Sequence, residues 1–296
     1  MRPPPPAWLA GFLADEGLPP SYTQAVETVW RPLAMRIAAD AIGRDAPLVV
    51  GLCGAQGSGK STAAAVLARL LRDLDVKSAV LSIDDLYLTR EERRVLAARV
   101  HPLFATRGPP GTHDISLANA LFDALAAAGP VALPRFDKGQ DTRRPVAEWE
   151  LVQAPVDVIL FEGWCVGATA QDDVELTAPV NALERDADAH GIWRAYANAQ
   201  LAGPYRALFA RIDLLVLIAA PGFETVLSWR IEQEHALRRR LDREGRPTAL
   251  TMSDEAVARF IAHYERVTRH ILSEMPARAD VVVRLDSRRT PLTTVT

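Results

Sequence analysis

The sequence predicts an α/β fold of three layers, a mostly parallel sheet with helices on both faces, from three observations. Short apolar runs alternate with longer amphipathic ones. The first of these runs leads directly into Gly54-Ala55-Gln56-Gly57-Ser58-Gly59-Lys60-Ser61, and two later ones end in acids. Within each run Val, Ile and Leu are nearly continuous, as burial on both faces of a parallel sheet requires.

In chain order, residues 21–42 follow Pro19-Pro20 and carry Tyr22, Val26, Trp30, Leu33 and Ile37 as one apolar stripe. Residues 1–46 therefore read as an N-terminal helical extension packed on the sheet. Strands are expected at 48–53, 79–83, 156–161, 214–219 and 281–285, the last closing the chain. Helices are expected at 63–71, 117–128, 192–210, 223–242 and 254–272. The last has Ser253 as its N-cap and acids in its first turn.

Gly54 to Ser61 is a complete G-x-x-x-x-G-K-S motif between a strand and a helix. Gly54, Gly57 and Gly59 allow positive φ, so backbone N–H groups turn inward around phosphates while the following helix points its positive end at them. Ala55, Gln56, Ser58 and Thr62 complete the cradle. Lys60 is then expected to bridge the β- and γ-phosphates and Ser61 to hold Mg²⁺. ATP and Mg²⁺ are the expected cofactors.

Ligands of such sheets sit at the carboxyl ends of the strands. The second strand runs into Asp84-Asp85, and Asp84 is expected to accept the proton of a hydroxyl attacking the γ-phosphate. Helix capping is the plainer role for such a pair. The strand at 156–161 ends in Glu162, expected on the Mg²⁺ side of the site, whereas Asp157 begins that strand and lies at the far edge.

Two loops offer cations, hydroxyl-binding groups and a fixed backbone, as an acidic or polyhydroxylated substrate requires: Arg107-Gly108-Pro109-Pro110-Gly111-Thr112-His113-Asp114 and Leu133-Pro134-Arg135-Phe136-Asp137-Lys138. Tight turns and a helix cap at Thr112 or Asp114 are the alternative for these residues. Helix 223–242 carries Arg230 and then Arg238-Arg239-Arg240. Successive residues turn about 100° apart, so at most two of that triplet can face one ligand. Arg230, Arg238 and Arg239 are the candidates for a helical lid, at about 223–250, that neutralises phosphate charge and excludes water.

Composition narrows the class. The chain has 296 residues, 49% hydrophobic and 24% charged, with a net charge of -3. Its pI near 6.1 argues against a nucleic-acid partner. The run at 214–220 is too short to span a bilayer, and Met1-Arg2-Pro3-Pro4-Pro5-Pro6 lacks the apolar stretch of a signal peptide, so a cytoplasmic location without membrane association is expected. Cys53 and Cys165 form no disulfide framework; both read as small buried residues, with Cys53 placed for oxidative or alkylating inactivation beside the glycine loop. An oligomeric state is not written in the sequence.

Taken together, the glycine loop, Ser82-Ile83-Asp84-Asp85-Leu86-Tyr87, the two cationic loops, Leu160-Phe161-Glu162-Gly163-Trp164, Trp229-Arg230 with Glu234, and Met252-Ser253-Asp254-Glu255 resemble the plant-type D-glycerate 3-kinases and their fungal and bacterial relatives. The match runs from about Leu48 to the last strand. More broadly, the chain is similar to the branch of P-loop kinases that includes uridine kinase, phosphoribulokinase and pantothenate kinase. This resemblance implies the P-loop NTPase fold over residues 47–296 and phosphoryl transfer from ATP to a small hydroxy acid, with D-glycerate giving 3-phosphoglycerate. It matches Asp84 to the base and Glu162 to the Mg²⁺-side acid, and it places Arg107, His113, Arg135, Asp137 and Lys138 in the loops expected to meet the acceptor. Asp84 and Glu162, with Lys60 and Arg230, are the expected catalytic residues, and Asp85, Tyr87 and Asp114 are further expected acceptor contacts. The chain departs from the plant pattern at Pro109-Pro110 and in a shorter stretch at 139–144, both in the acceptor region. A kinase for a pantothenate-like acid, a nucleoside or a sugar keeps every nucleotide residue, and a regulatory ATP-binding protein shares many of them.

Overall fold

The computed structural model of the chain describes residues 4–246 and 251–295. The end of the expected lid, 247–250, lies outside the described residues.

The N-terminal extension comprises α1 (Leu9–Asp15) and a second helical run made of α2 (Tyr22–Ala25), a π-helical turn (Val26–Trp30) and α3 (Arg31–Ala41). The expected stripe is turned inward: Val26, Trp30, Leu33 and Ile37 are buried in the same core as the sheet. Chain order then runs β1 (Leu48–Gly54), α4 (Lys60–Asp73), β2 (Ser78–Ser82), α5 (Arg90–Arg99), α6 (Ile115–Ala126), β3 (Gly129–Leu133), β4 (Phe136–Asp137), β5 (Thr142–Arg143), β6 (Glu150–Ala154) and β7 (Val158–Gly163). It continues with α7 (Ala182–Ala187), α8 (Ile192–Gln200), α9 (Arg206–Phe209), β8 (Leu214–Ala219), α10 (Phe223–Arg243), α11 (Asp254–Glu274), β9 (Val281–Leu285) and β10 (Pro291–Val295).

Six strands form one sheet in the order β10-β9-β8-β1-β7-β2, all parallel except β10, which runs antiparallel to β9. Helices α3 and α4 pack against β1 on one face. On the other, Phe161 of β7 meets Phe122 of α6 and Phe209 of α9 at ring-centroid distances of 5.2 and 6.4 Å. Fully buried Val66, Leu67 and Leu71 of α4 each stabilise the fold by about 1.5–3 kcal/mol. Helix α1 is fixed to α4 by the Trp8 indole N–H, which donates to Asp73 at 2.8 Å, and by Arg69 over the Trp8 and Phe12 rings.

Register places the chemistry at one edge. Leu52 of β1 and Ser82 of β2 both lie opposite Glu162 of β7, so the glycine loop, Glu162 and Asp84 leave the sheet side by side. Several expected boundaries move. The strand expected at 156–161 starts at Val158 and includes Glu162, while Asp157 precedes it and accepts the Lys77 N–H at 2.7 Å. Ile83 leaves β2 for a 3₁₀ turn (Ile83–Leu86), in which the Asp84 N–H donates to Ser82 Oγ at 3.3 Å. Helix 192–210 is α8 and α9 joined by a π-helical turn (Leu201–Tyr205) around Pro204, which lacks an amide donor. The chain does not close at β9, because β10 folds back onto it.

Candidate functional site

The glycine loop joins β1 to α4. Gly57 and Gly59 have φ of 80° and 82°, the left-handed region that disfavours a side chain. Gly54 does not share that conformation; it is small because a Cβ there would lie 2.6 Å from Ser58 Oγ. A Cβ on Gly57 would lie 2.9 Å from Trp229 Cβ, so α10 rests directly on the loop. Arg289 reinforces this contact: its Nε donates to the Gly57 carbonyl at 2.9 Å, it pairs with Glu232 at 2.8 Å, and it covers the Trp229 ring. Helix α4 begins at Lys60, so its unpaired first-turn N–H groups face the loop's concavity.

Beside the loop is a cleft of about 410 Å³ whose lining includes Gln56, Gly57, Gly59, Lys60, Ser61 and Thr62. Asp84, Tyr87, Arg107, Lys138 and Arg230 line it as well. Among the described residues the cleft's charged lining is thus one carboxylate and four cations, Lys60, Arg107, Lys138 and Arg230. Asp84 accepts from Tyr87 Oη at 2.8 Å through Oδ1 and from Lys138 Nζ at 2.6 Å through Oδ2. Burial alone would raise its pKa, but the Lys138 and Lys60 ammonium groups and the two hydrogen bonds outweigh burial and hold the carboxyl well below the usual range. Burial, assisted by the Asp84 charge, pushes the Tyr87 phenol far up, so it stays a neutral donor.

Ser61 Oγ donates to Glu162 Oε1 at 3.0 Å. Glu162 is buried, and its Oε2 has no hydrogen-bond partner among the described residues. An orphaned carboxylate oxygen beside a hydroxyl at a phosphate cradle fits a hard divalent cation that keeps most of its water. Among the described residues no three His, Cys, Asp or Glu side chains gather as a metal cluster.

Five of the expected acceptor contacts do not line the cleft; they are tied up in turns, a helix cap and ion pairs around it. Asp85 accepts the Phe136 N–H at 2.9 Å and pairs with Arg135 at 3.3 Å, while Arg135 also pairs with Glu150. Asp114 caps α6 through the Leu117 N–H at 2.9 Å and pairs with Arg143 at 2.9 Å. Asp137 accepts the Gly139 and Gln140 N–H groups and closes a turn. His113 is buried behind Tyr87, stacked on its ring at 4.7 Å, with Nδ1 2.6 Å from Tyr205 Oη. Burial lowers its pKa to about 4.

Two of the three expected lid arginines also fall elsewhere. Arg238 donates to the Met252 carbonyl at 2.7 Å and to Thr251 Oγ1 at 3.1 Å, and Arg239 is exposed; neither lines the cleft. Arg238 is eight residues beyond Arg230, roughly 12 Å along the helix axis, which carries it past the loop. Arg230 itself lines the cleft and pairs with Glu234 at 3.0 Å. Cys53 and Cys165 are fully buried, as small core residues, and burial pushes the Cys53 thiol up to about 12, which disfavours the thiolate that alkylation or oxidation needs.

Sequence reasoning missed Gln233, Phe260 and Tyr264, which complete the lining from α10 and α11. Tyr264 Oη donates to the Arg107 carbonyl at 3.1 Å. The available signal was a hydroxyl inside an otherwise apolar helix stripe, which needs a partner when buried. A second cavity of about 500 Å³ also touches the loop at Gly59 and Thr62 and is bounded by Tyr22, Trp30 and Thr290.

No protein-family model matches the chain. The uncharacterised kinase mug58 of Schizosaccharomyces pombe is 33% identical over 228 residues, 74% of this chain and 78% of that protein. The chain belongs to the P-loop kinases. Another relative of this P-loop kinase is the chloroplastic D-glycerate 3-kinase of Arabidopsis thaliana, 30% identical over 264 residues, 83% of this chain and 54% of that protein. The chain thus spans about half the length of the plant enzyme. Among solved structures, a D-glycerate 3-kinase from Cryptococcus neoformans matches with a TM-score of 0.71 at 25% identity, covering 90% of this chain and 97% of the other. Among the described residues no helix of this kinase is long and apolar enough to cross a membrane.

Proposed function

We propose that this kinase transfers the γ-phosphoryl group of ATP to a hydroxyl of a small hydroxy acid, with D-glycerate giving 3-phosphoglycerate. The observation that carries the reading is Asp84: a strand-end carboxylate facing the glycine loop, tied to Lys138 and Tyr87 within a cleft whose other charged lining residues are cationic. The relatives named for D-glycerate 3-kinase activity support the choice of acceptor.

In this reading the loop N–H groups and Lys60 hold the β- and γ-phosphates. Base and ribose extend toward the second cavity, which meets the first at Gly59 and Thr62. Ser61 and Glu162 would hold Mg²⁺, which would supply charge neutralisation at the phosphates. Arg107 and Lys138 receive the acceptor carboxylate. Asp84 orients the attacking hydroxyl and accepts its proton as the new oxygen–phosphorus bond forms and the bond to the ADP oxygen breaks. A depressed pKa makes Asp84 a weak base. That suits a loose phosphoryl-transfer transition state, where positioning matters more than early proton removal. Arg230 neutralises charge on the transferring group.

The test is ADP release with ATP and Mg²⁺ across D-glycerate, L-glycerate, pantothenate, uridine and several sugars. Saturable stimulation by D-glycerate is the expected result. Stimulation by another compound alone would keep the kinase and replace the acceptor, and ATP binding without stimulation by any compound would favour a regulatory protein.

A further inference from the structure

Arg107 reaches the cleft from a loop, and Lys138 reaches it from the short turn between β4 and β5. Neither a loop nor a two-residue strand pair fixes a long cation by itself. One carboxylate joins them. Asp141, in that turn with a φ of 56°, directs Oδ1 at Arg107 Nη1 (2.6 Å) and Oδ2 at Arg93 Nη2 (2.6 Å), with Arg90 Nε at 3.6 Å. Arg93 is itself buried in α5 and donates to the carbonyls of Leu88 at 3.2 Å, Ala105 at 2.7 Å and Asp141 at 3.3 Å. The turn carrying Lys138, the segment preceding Arg107 and the start of α5 are therefore tied at one point.

This arrangement leaves Arg107 partly uncommitted. Its Nη1 is held by Asp141 and its guanidinium lies 5.8 Å from the Phe136 ring centroid, while Nε and Nη2 have no hydrogen-bond partner among the described residues. A guanidinium gripped on one edge presents its free donors in a fixed plane, the geometry that receives a carboxylate in a bidentate manner. Held in this way, Arg107 loses less rotamer freedom when the acceptor arrives, which lowers the cost of binding.

We infer that Asp141 is a positioning residue for the acceptor: it fixes the Arg107 guanidinium and the Lys138 turn as one preformed anion-receiving unit. The inference rests on the reading of the cleft as a hydroxy-acid site. It touches neither the glycine loop nor Asp84, so its signature is selective for the acceptor.

The experiment is steady-state kinetics of the full chain and its Asp141→Asn, Arg107→Ala and double variants, varying D-glycerate and ATP separately. Asp141→Asn is expected to raise the D-glycerate KM about tenfold, with kcat and the ATP KM within about twofold of wild type. The double variant should raise the D-glycerate KM by clearly less than the product of the two single effects, because Asp141 acts mainly through Arg107 and only in part through the Lys138 turn. Should Asp141→Asn not fold, Asp141→Glu keeps a charge on Arg93 but displaces Arg107, and should raise the D-glycerate KM selectively. A wild type active with D-glycerate whose folded Asp141 variants keep its acceptor KM would overturn this inference alone, as would fully additive effects in the double variant. A wild type silent toward every hydroxy acid would overturn both readings.

Discussion

Asp84 sits between opposing demands. Burial favours its neutral form, yet Lys138 and Lys60 favour the carboxylate and win, so it remains ionised well below neutral pH. An ionised carboxylate that already accepts from Tyr87 and Lys138 is well placed to orient an incoming hydroxyl. Asp84→Asn keeps the shape and removes the charge, so kcat should fall by about 10²- to 10⁴-fold while ATP affinity, read by nucleotide titration, stays near wild type. Near-normal turnover would remove Asp84 from the chemistry. Asp84 was legible in the sequence because it follows an apolar strand after a phosphate loop. Asp85, its neighbour, was not separable from it. Only the turn geometry shows that Asp85 faces the Phe136 backbone and Arg135.

At the scale of elements, the glycine loop and α10 behave as one packed unit. Gly57 combines a left-handed backbone with contact to Trp229, and Arg289 bridges the loop carbonyl to Glu232 of the same helix. Gly57→Ala should therefore cost about 1–3 kcal/mol of stability, seen as a lower Tm, and raise the ATP KM with little change in acceptor KM. The central strands were readable because two-sided burial demands uninterrupted Val, Ile and Leu. The strand pairs β3–β6 and β4–β5 were not, since their strands are only two to five residues long and partly exposed, and β3 meets β6 across the whole intervening β4–β5 segment. The same long-range pairing explains the acceptor loops. His113, Asp114 and Arg135 have residue types suited to a ligand, but nearby side chains and a helix terminus satisfy them first.

For the molecule as a whole, the buried histidines set an acid limit. Burial lowers the pKa of His113 from 6.5 to about 4 and shifts His263 in the same direction. Above pH 6.5 His113 is neutral in both folded and unfolded chains. As pH falls below 6.5 the unfolded chain takes up the proton first, and stability is lost until the folded chain also binds it near pH 4. The His113 share across that window is about 3 kcal/mol. Tm should therefore drop between pH 6.5 and 4.5, and His113→Gln, though less stable at pH 7.5, should show a shallower drop. An equal slope in both proteins would mean that His113 titrates normally. The central claim, that the cleft joins ATP to a hydroxy acid, is tested most directly by identifying the product formed from ATP, Mg²⁺ and D-glycerate by mass spectrometry and ³¹P NMR. The account predicts 3-phosphoglycerate in equal amount to ADP, and ADP released with inorganic phosphate and no phosphorylated acid would contradict it.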